Sequence, residues 1–230
     1  MHAIRTVVQM HTRDKLMWFI APWGFQLTAF LVSLLDGVLR KGYGQGFSSG
    51  GAGDMYIFYF VVGIFSVNDT FPFALGFSVR RKDYFQGTLV LVAMLFAVTS
   101  LALVTLGFIE SHVVNGWGVG LHFFAPPYLS AGSFLQQCWV DFSLLMNLFA
   151  LGFVIGSVYR RFGNAGVLTF LAVAVLLLTT WVGLNIHLNR WAAVTAWFVQ
   201  HTAFELVLGL LPLTALSLLA SYLLLRRAVA

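Results

Sequence analysis

Eight carboxylates stand in a chain of 230 residues; two of them, Asp69 and Asp141, fall well inside long apolar runs, and Asp36 lies near the far end of the first run. A charge at mid-bilayer costs about 2.5–3.5 kcal/mol on insertion scales, so an acid kept there marks a functional position by default. Asp69 stands in Asn68-Asp69-Thr70, three residues before Pro72. Proline removes a backbone hydrogen bond and frees a carbonyl, which predicts a kink in this run. Two roles are open to the group: a polar lining for a path between subunits, or a hydrogen bond that fastens one helix to a neighbour. Asp141 has the same two roles, with the packing role first. Glu110 and Glu205 fall near the ends of apolar runs, where contact with water accounts for them.

Other chemistry has no motif to carry it. The chain contains no GxxxxGK[ST] loop to cradle a nucleotide phosphate and no CxxC or HExxH, and its six His are scattered, so no metal site is expected. Gly46-Phe47-Ser48-Ser49-Gly50 matches a G-x-S-x-G nucleophile elbow in letters only. That motif needs a strand before it and a helix after it, and here it sits in a Gly-rich stretch. The single Cys138 precludes an intrachain disulfide.

The elements that position these groups follow from composition. The chain is 60% hydrophobic and 9% charged, with a mean hydropathy of +0.88. Soluble domains carry about 25% charged residues. Continuous apolar runs, without period-two alternation, select helices over a barrel. The expectation is an all-α polytopic membrane protein, one domain over 1–230, with six spans at about 16–39, 55–78, 87–109, 134–159, 167–186 and 203–225. Residues 1–15 are polar and basic ahead of a full-length first span, so no cleaved signal is expected. Within 2–12, Ile4, Val7, Val8 and His11 recur at helical spacing, as in an amphipathic helix at the membrane surface; a disordered tail is the alternative. Residues 40–54 are Gly-rich and read as a flexible exposed loop, and 110–132 as an extramembrane or interfacial loop. Residues 187–202 are too short to span and carry Trp191 and Trp197, which suit an interface. In the fourth span, Gly152 and Gly156 form GxxxG, a pattern for close helix packing within or between subunits.

Six spans place both termini on one side. Arg5, Arg13, Lys15, Arg80, Arg81, Lys82, Arg160, Arg161, Arg226 and Arg227 fall on that side, against Arg40, Lys41 and Arg190 opposite. The positive-inside rule makes the terminal side cytoplasmic and accounts for the net charge of +5 without nucleic acid. The turn between the second and third spans concentrates three of these bases, Arg80, Arg81 and Lys82, ahead of Asp83, Tyr84 and Phe85. Topology alone explains basic residues there. Their company suggests more: Ser78 can cap a short helix from Val79, with Arg81, Tyr84 and Phe85 on one face, able to carry force from a cytoplasmic partner.

These residues carry a resemblance. PFALGFSVRRKDYFQGT, through Gly76, Ser78, Arg80, Arg81, Asp83, Tyr84, Phe85 and Gly87, resembles the segment after the second span in ABC transporter permeases of the type-two exporter class. GSVYRRFGNAG is similar to that family's segment after the fourth span, with Arg160, Arg161, Phe162 and Gly163 matching. The resemblance implies a permease in a bacterial plasma membrane, working as a homodimer or heterodimer with a second permease chain. ATP and Mg would be bound by a separate ATPase subunit, not by this chain, which is then not itself an enzyme. The turn at Arg80–Phe85 would dock on that ATPase, with Arg81, Tyr84 and Phe85 in contact. The substrate path would lie between subunits, with Asn68, Asp69, Thr70 and Asp141 as candidate lining. The nearly apolar fifth span favours a hydrophobic or amphipathic substrate, such as a drug, lipid or antibiotic. The rival readings are an ion-coupled secondary transporter using Asp69 and Asp141, an intramembrane enzyme, and a membrane anchor that transports nothing.

Overall fold

The computed structural model describes residues 2–40, 47–48 and 50–227. Of the expected flexible loop at 40–54, residues 41–46 and 49 lie outside these residues, Gly46 and Ser49 of the elbow-like match among them, and 52–54 are helix and not loop. Helix α1 (His2–Arg13) forms at the N-terminus, so the helical reading of this segment holds over the disordered one. Val7 and His11 are buried while Thr6, Gln9 and Arg13 are exposed, the division an amphipathic helix requires. A π-helical turn, Leu16–Ile20, leads into α2 (Ala21–Arg40), with Pro22 in its first turn, where the missing donor costs little. Then come α3 (Ala52–Gly76), α4 (Arg81–His112), α5 (Phe134–His187), α6 (Trp191–Gln200) and α7 (Ala203–Arg226). Between α4 and α5 lie a short 3-10 turn, Gly116–Gly118, and strand β2 (Leu121–His122), which pairs in parallel with β1 (Phe47–Ser48). The other regular elements among the described residues are helical, and five of these helices are long and apolar enough to cross a membrane.

The fourth and fifth expected spans are not separated by a loop. They form α5, 54 residues of helix in two halves that meet at a kink at Gly163, about 43 Å before it and about 36 Å after it at 1.5 Å per residue, each half long enough for the hydrocarbon thickness of about 30 Å. Its one non-helical residue is Gly163, at φ 68° and ψ −163°, backbone that a side chain would forbid. Arg160, Arg161 and Phe162 keep helical hydrogen bonding up to that point, so one glycine does what seven residues were expected to do. The chain then returns. The Tyr128 hydroxyl, beyond the far end of α4, donates to the His201 carbonyl at 3.1 Å, and only α6 and its two short flanks lie between α5 and His201.

The bundle is organised by α3 and the first half of α5, which run parallel and touch at their backbones. A methyl group on Gly63 would stand 2.5 Å from the Phe149 carbonyl oxygen, and one on Gly156 2.6 Å from that of Ile64. On Gly152 it would overlap the Phe60 carbonyl outright. The GxxxG pair therefore serves packing within this chain. Around this contact the rings of Tyr59 and Phe96 meet at 4.8 Å, Phe96 and Phe149 at 5.7 Å, and Trp18 and Phe149 at 6.2 Å. Four elements thus share one aromatic core. Helix α7 lies along the first half of α5, joined to it where Asn147 Nδ2 donates to Thr214 Oγ1 at 2.9 Å. The second half of α5, by contrast, is exposed along almost its whole length. Gly152→Leu should cost about 3 kcal/mol of stability by forcing the backbones apart, whereas Gly183→Leu, with open space around it, should change the melting temperature in detergent by less than 2 °C (about 0.5 kcal/mol).

Candidate functional site

The basic turn begins where α3 ends. Ser78 N donates to the Leu75 carbonyl at 2.9 Å and Val79 N to that of Ala74 at 3.2 Å, closing α3 against solvent. Ser78 has φ 58°, the left-handed conformation, so it does not cap a helix starting at Val79. Helix α4 starts instead at Arg81, after an extended Arg80 that makes no side-chain cap. The separate short helix expected here does not exist: Arg81–Phe85 are the first turns of the 32-residue α4. The physical reason is that no residue after Arg81 breaks a helix. Gly87 and Gly107 weaken it, by about 1 kcal/mol each.

The continuity changes what the turn's side chains do. Tyr84, expected at the surface, is fully buried. Its hydroxyl donates to the Ser66 carbonyl at 3.0 Å and lies 2.8 Å from Thr70 Oγ1, and its ring meets Phe71 edge-on at 5.2 Å. No surface contact can include it, because its hydrogen bonds tie α4 to α3. Arg81 is half-buried and its Nη1 donates to the Arg226 carbonyl at the end of α7, 2.7 Å away. Phe85 packs on Tyr222 of α7 at 5.3 Å. The outward side chains of the turn are Arg80 and Lys82, with Asp83 half-buried beside them. One turn further on, Thr88 Oγ1 meets His11 Nε2 of α1 at 3.1 Å, and the His11 ring meets Trp18 edge-on at 4.9 Å. The turn is thus the free end of a rod fastened to α1, α3 and α7. The second basic segment is less connected. Arg161 lies over the ring of exposed Phe162 at 4.9 Å, and the buried Nε of Arg160 has no partner among the described residues.

The four polar residues expected along a path do not gather. Thr70 turns inward to Tyr84. Asn68 Nδ2 donates to the Ile64 carbonyl of its own helix at 3.3 Å. Asp69 faces outward from the bundle, exposed, and accepts no hydrogen bond from a described residue, so it is not the helix-to-helix fastener. Asp141 sits toward the other end, where Tyr56 OH donates to its Oδ1 at 2.6 Å. Tyr56 and Asp69 are thirteen residues apart on α3, about 20 Å along the helix, so the two carboxylates cannot share one ion.

At the end away from the termini, the sequence reading missed a heavily bonded side chain. Glu110, expected to face water, is fully buried. Its Oε1 accepts from Phe123 N at 2.9 Å and Ala125 N at 3.2 Å, and its Oε2 from Trp117 Nε1 at 2.9 Å and Phe124 N at 3.1 Å. One carboxylate therefore folds the whole segment 116–125 over the end of α4. The signal available was a terminal acid followed by a Gly- and aromatic-rich stretch with no acid of its own.

Among the described residues no three His, Cys, Asp or Glu groups gather as a metal site. The chain matches no family model, no curated protein and no solved structure. Fold and composition define its class: a multi-pass helical membrane protein.

Two outcomes follow from these contacts. Glu110→Gln puts an amide NH2 against two backbone or indole donors whichever way it turns. Limited proteolysis within 113–132 should then be about tenfold faster, while the rest of the chain keeps its pattern. At the other end, burial holds the His11 imidazole down at about 4 against an ordinary 6.5, with the Asp14 carboxylate opposing. The neutral ring is the docked form. Its contribution is complete above pH 6.5 and is lost as the pH falls from 6.5 through about 4. Amide exchange in α1, corrected for intrinsic rates, should rise across that window, and His11→Gln should abolish the pH dependence.

Proposed function

We propose that this chain is the membrane subunit of a transporter driven by a separate ATPase, moving a hydrophobic or amphipathic substrate across a bacterial plasma membrane. On this reading it crosses six times, through α2, α3, α4, the two halves of α5, and α7, with both termini cytoplasmic. The observation that carries the proposal is the mounting of the basic turn. Arg80 and Lys82 point outward, while the residues that follow are bonded or packed into α1, α3 and α7. A partner that pulls on the turn therefore moves several helices together, which a turn serving only as a topological stop does not need. The docking surface on this reading is Arg80, Lys82 and the edge of Asp83, with Arg81, Tyr84 and Phe85 as the transmission behind it.

Two further features support the reading. The second half of α5 leaves its sides bare, as a helix shared with a second membrane chain would. Asp69 stands on the outer face of α3, where a path between two such chains would run. The resemblance to type-two exporter permeases supplies the partner class. When the protein is captured from its native membranes in mild detergent, an ATP-hydrolysing chain should co-purify. Arg80→Glu with Lys82→Glu should remove that activity from the captured material at least tenfold (about 1.4 kcal/mol or more of lost binding), with the melting temperature of the membrane chain unchanged. Capture without any ATPase from the wild type would overturn the proposal.

A further inference from the structure

The outer face of α3 carries residues at a spacing of four, Val61, Phe65, Asp69 and Phe73, and Phe77 follows as the residue just past its end. All are exposed, Phe65 by 49%, Phe73 by 56% and Phe77 by 66%. Side chains four apart on a helix are neighbours, so the Asp69 carboxylate lies between two phenylalanine rings on an otherwise apolar strip. Helix α3 carries no Lys, Arg or His, and no described group donates a hydrogen bond to Asp69. A carboxylate without a hydrogen-bond donor is costly inside a bilayer. The faces of aromatic rings are themselves negative, so Phe65 and Phe73 add to the same preference for positive charge.

Below the strip lies a cleft of about 320 Å³ between α1 and the end of α3. It is lined mainly by apolar groups, among them Val7, Met10, Phe73, Ala74 and Phe77, with Arg13 also on its wall. Phe73 belongs to both the strip and the cleft, so the two are continuous. Asp69 lies outside the cleft, and the Arg13 charge disfavours a second cation within it. The arrangement sorts a ligand into a positive centre at Asp69 and an uncharged apolar body along Phe73 and into the cleft.

We propose that the Phe65–Asp69–Phe73 strip is a binding site for lipophilic cations: molecules with a quaternary or protonated centre surrounded by apolar groups. As a statement of the transported class this rests on the transporter reading above; as a statement of binding it does not. Neutral apolar molecules gain only the cleft, and lipophilic anions are repelled by carboxylate and ring faces alike.

The test uses a pair of probes of nearly equal size and shape and opposite charge, tetraphenylphosphonium and tetraphenylborate. Binding to the full chain in a neutral maltoside detergent is measured by equilibrium dialysis, with empty micelles subtracted. Asp69→Asn should weaken tetraphenylphosphonium about tenfold and leave tetraphenylborate no weaker than with the wild type, and Asp69→Glu should restore the cation (one tenfold step being about 1.4 kcal/mol). Phe73→Leu, which keeps apolar bulk but removes the ring, should weaken the cation about threefold and spare the anion. The proposal falls if Asp69→Asn leaves the cation unchanged, or if it weakens both probes equally, which would mark a structural role. Because no ATPase is present in this measurement, its outcome is independent of whether one co-purifies.

Discussion

The contact on which the rest of the bundle depends is the approach of two backbones, α3 and the first half of α5, at Gly63, Gly152 and Gly156. In lipid there is little hydrophobic gain from bringing one apolar helix to another, so packing and hydrogen bonding must supply the association. Small residues allow the helices to come close enough for dispersion to accumulate over many atoms. That closeness sets the position of Tyr59 against Phe96 and of Phe149 against Trp18, and through them of α2 and α4. It also places Tyr56 where its hydroxyl can meet Asp141.

The remaining joints are polar and sit at the two ends or on the α7 seam. Tyr84 with Ser66, His11 with Thr88, and Arg81 with Arg226 lock the terminal face. Glu110 locks the opposite one, and Asn147 with Thr214 joins α5 to α7. The two ends differ in kind. At the Glu110 end a charge is fully enclosed by four donors, so motion there must break several bonds at once. At the terminal face each side chain makes one or two bonds and these are distributed over several helices, so the same helices can shift as a group while keeping their mutual register. A membrane protein worked from one side would need this asymmetry.

What was legible in the sequence was whatever follows from long-range averages. Apolar runs gave the long helices, but α4 begins six residues before the expected span and the fourth and fifth spans join at Gly163. The GxxxG spacing gave a close contact without saying with which helix, because spacing describes one surface and not its partner. The burial of Tyr84 was not legible: a tyrosine beside three bases looks superficial, and only the continuity of α4 turns it toward Ser66 and Thr70. The Glu110 clasp was hidden for a similar reason. Its four donors are three backbone amides and an indole, none of which has a sequence signature as a ligand. Gly163 was visible as one glycine in a basic segment, but the sharpness of its bend depends on a backbone angle and not on residue type alone. Asp69 was visible as an anomaly, and the structure gives the anomaly a direction.

The seam between α5 and α7 bears on the way the protein is made. Asn147 emerges during synthesis 67 residues before its partner Thr214, and the Arg81 side chain long before the Arg226 carbonyl. Until α7 is inserted, an amide and a guanidinium on the early helices must find other company, in water, in headgroups or in the insertion machinery. The early helices can pair through their glycines as soon as α5 is half made, but the two polar joints to α7 stay open until it is made. Completion of the last helix is therefore the event that closes the bundle, and a chain stopped before it would display unsatisfied polar groups at membrane depth, a mark that separates finished molecules from unfinished ones.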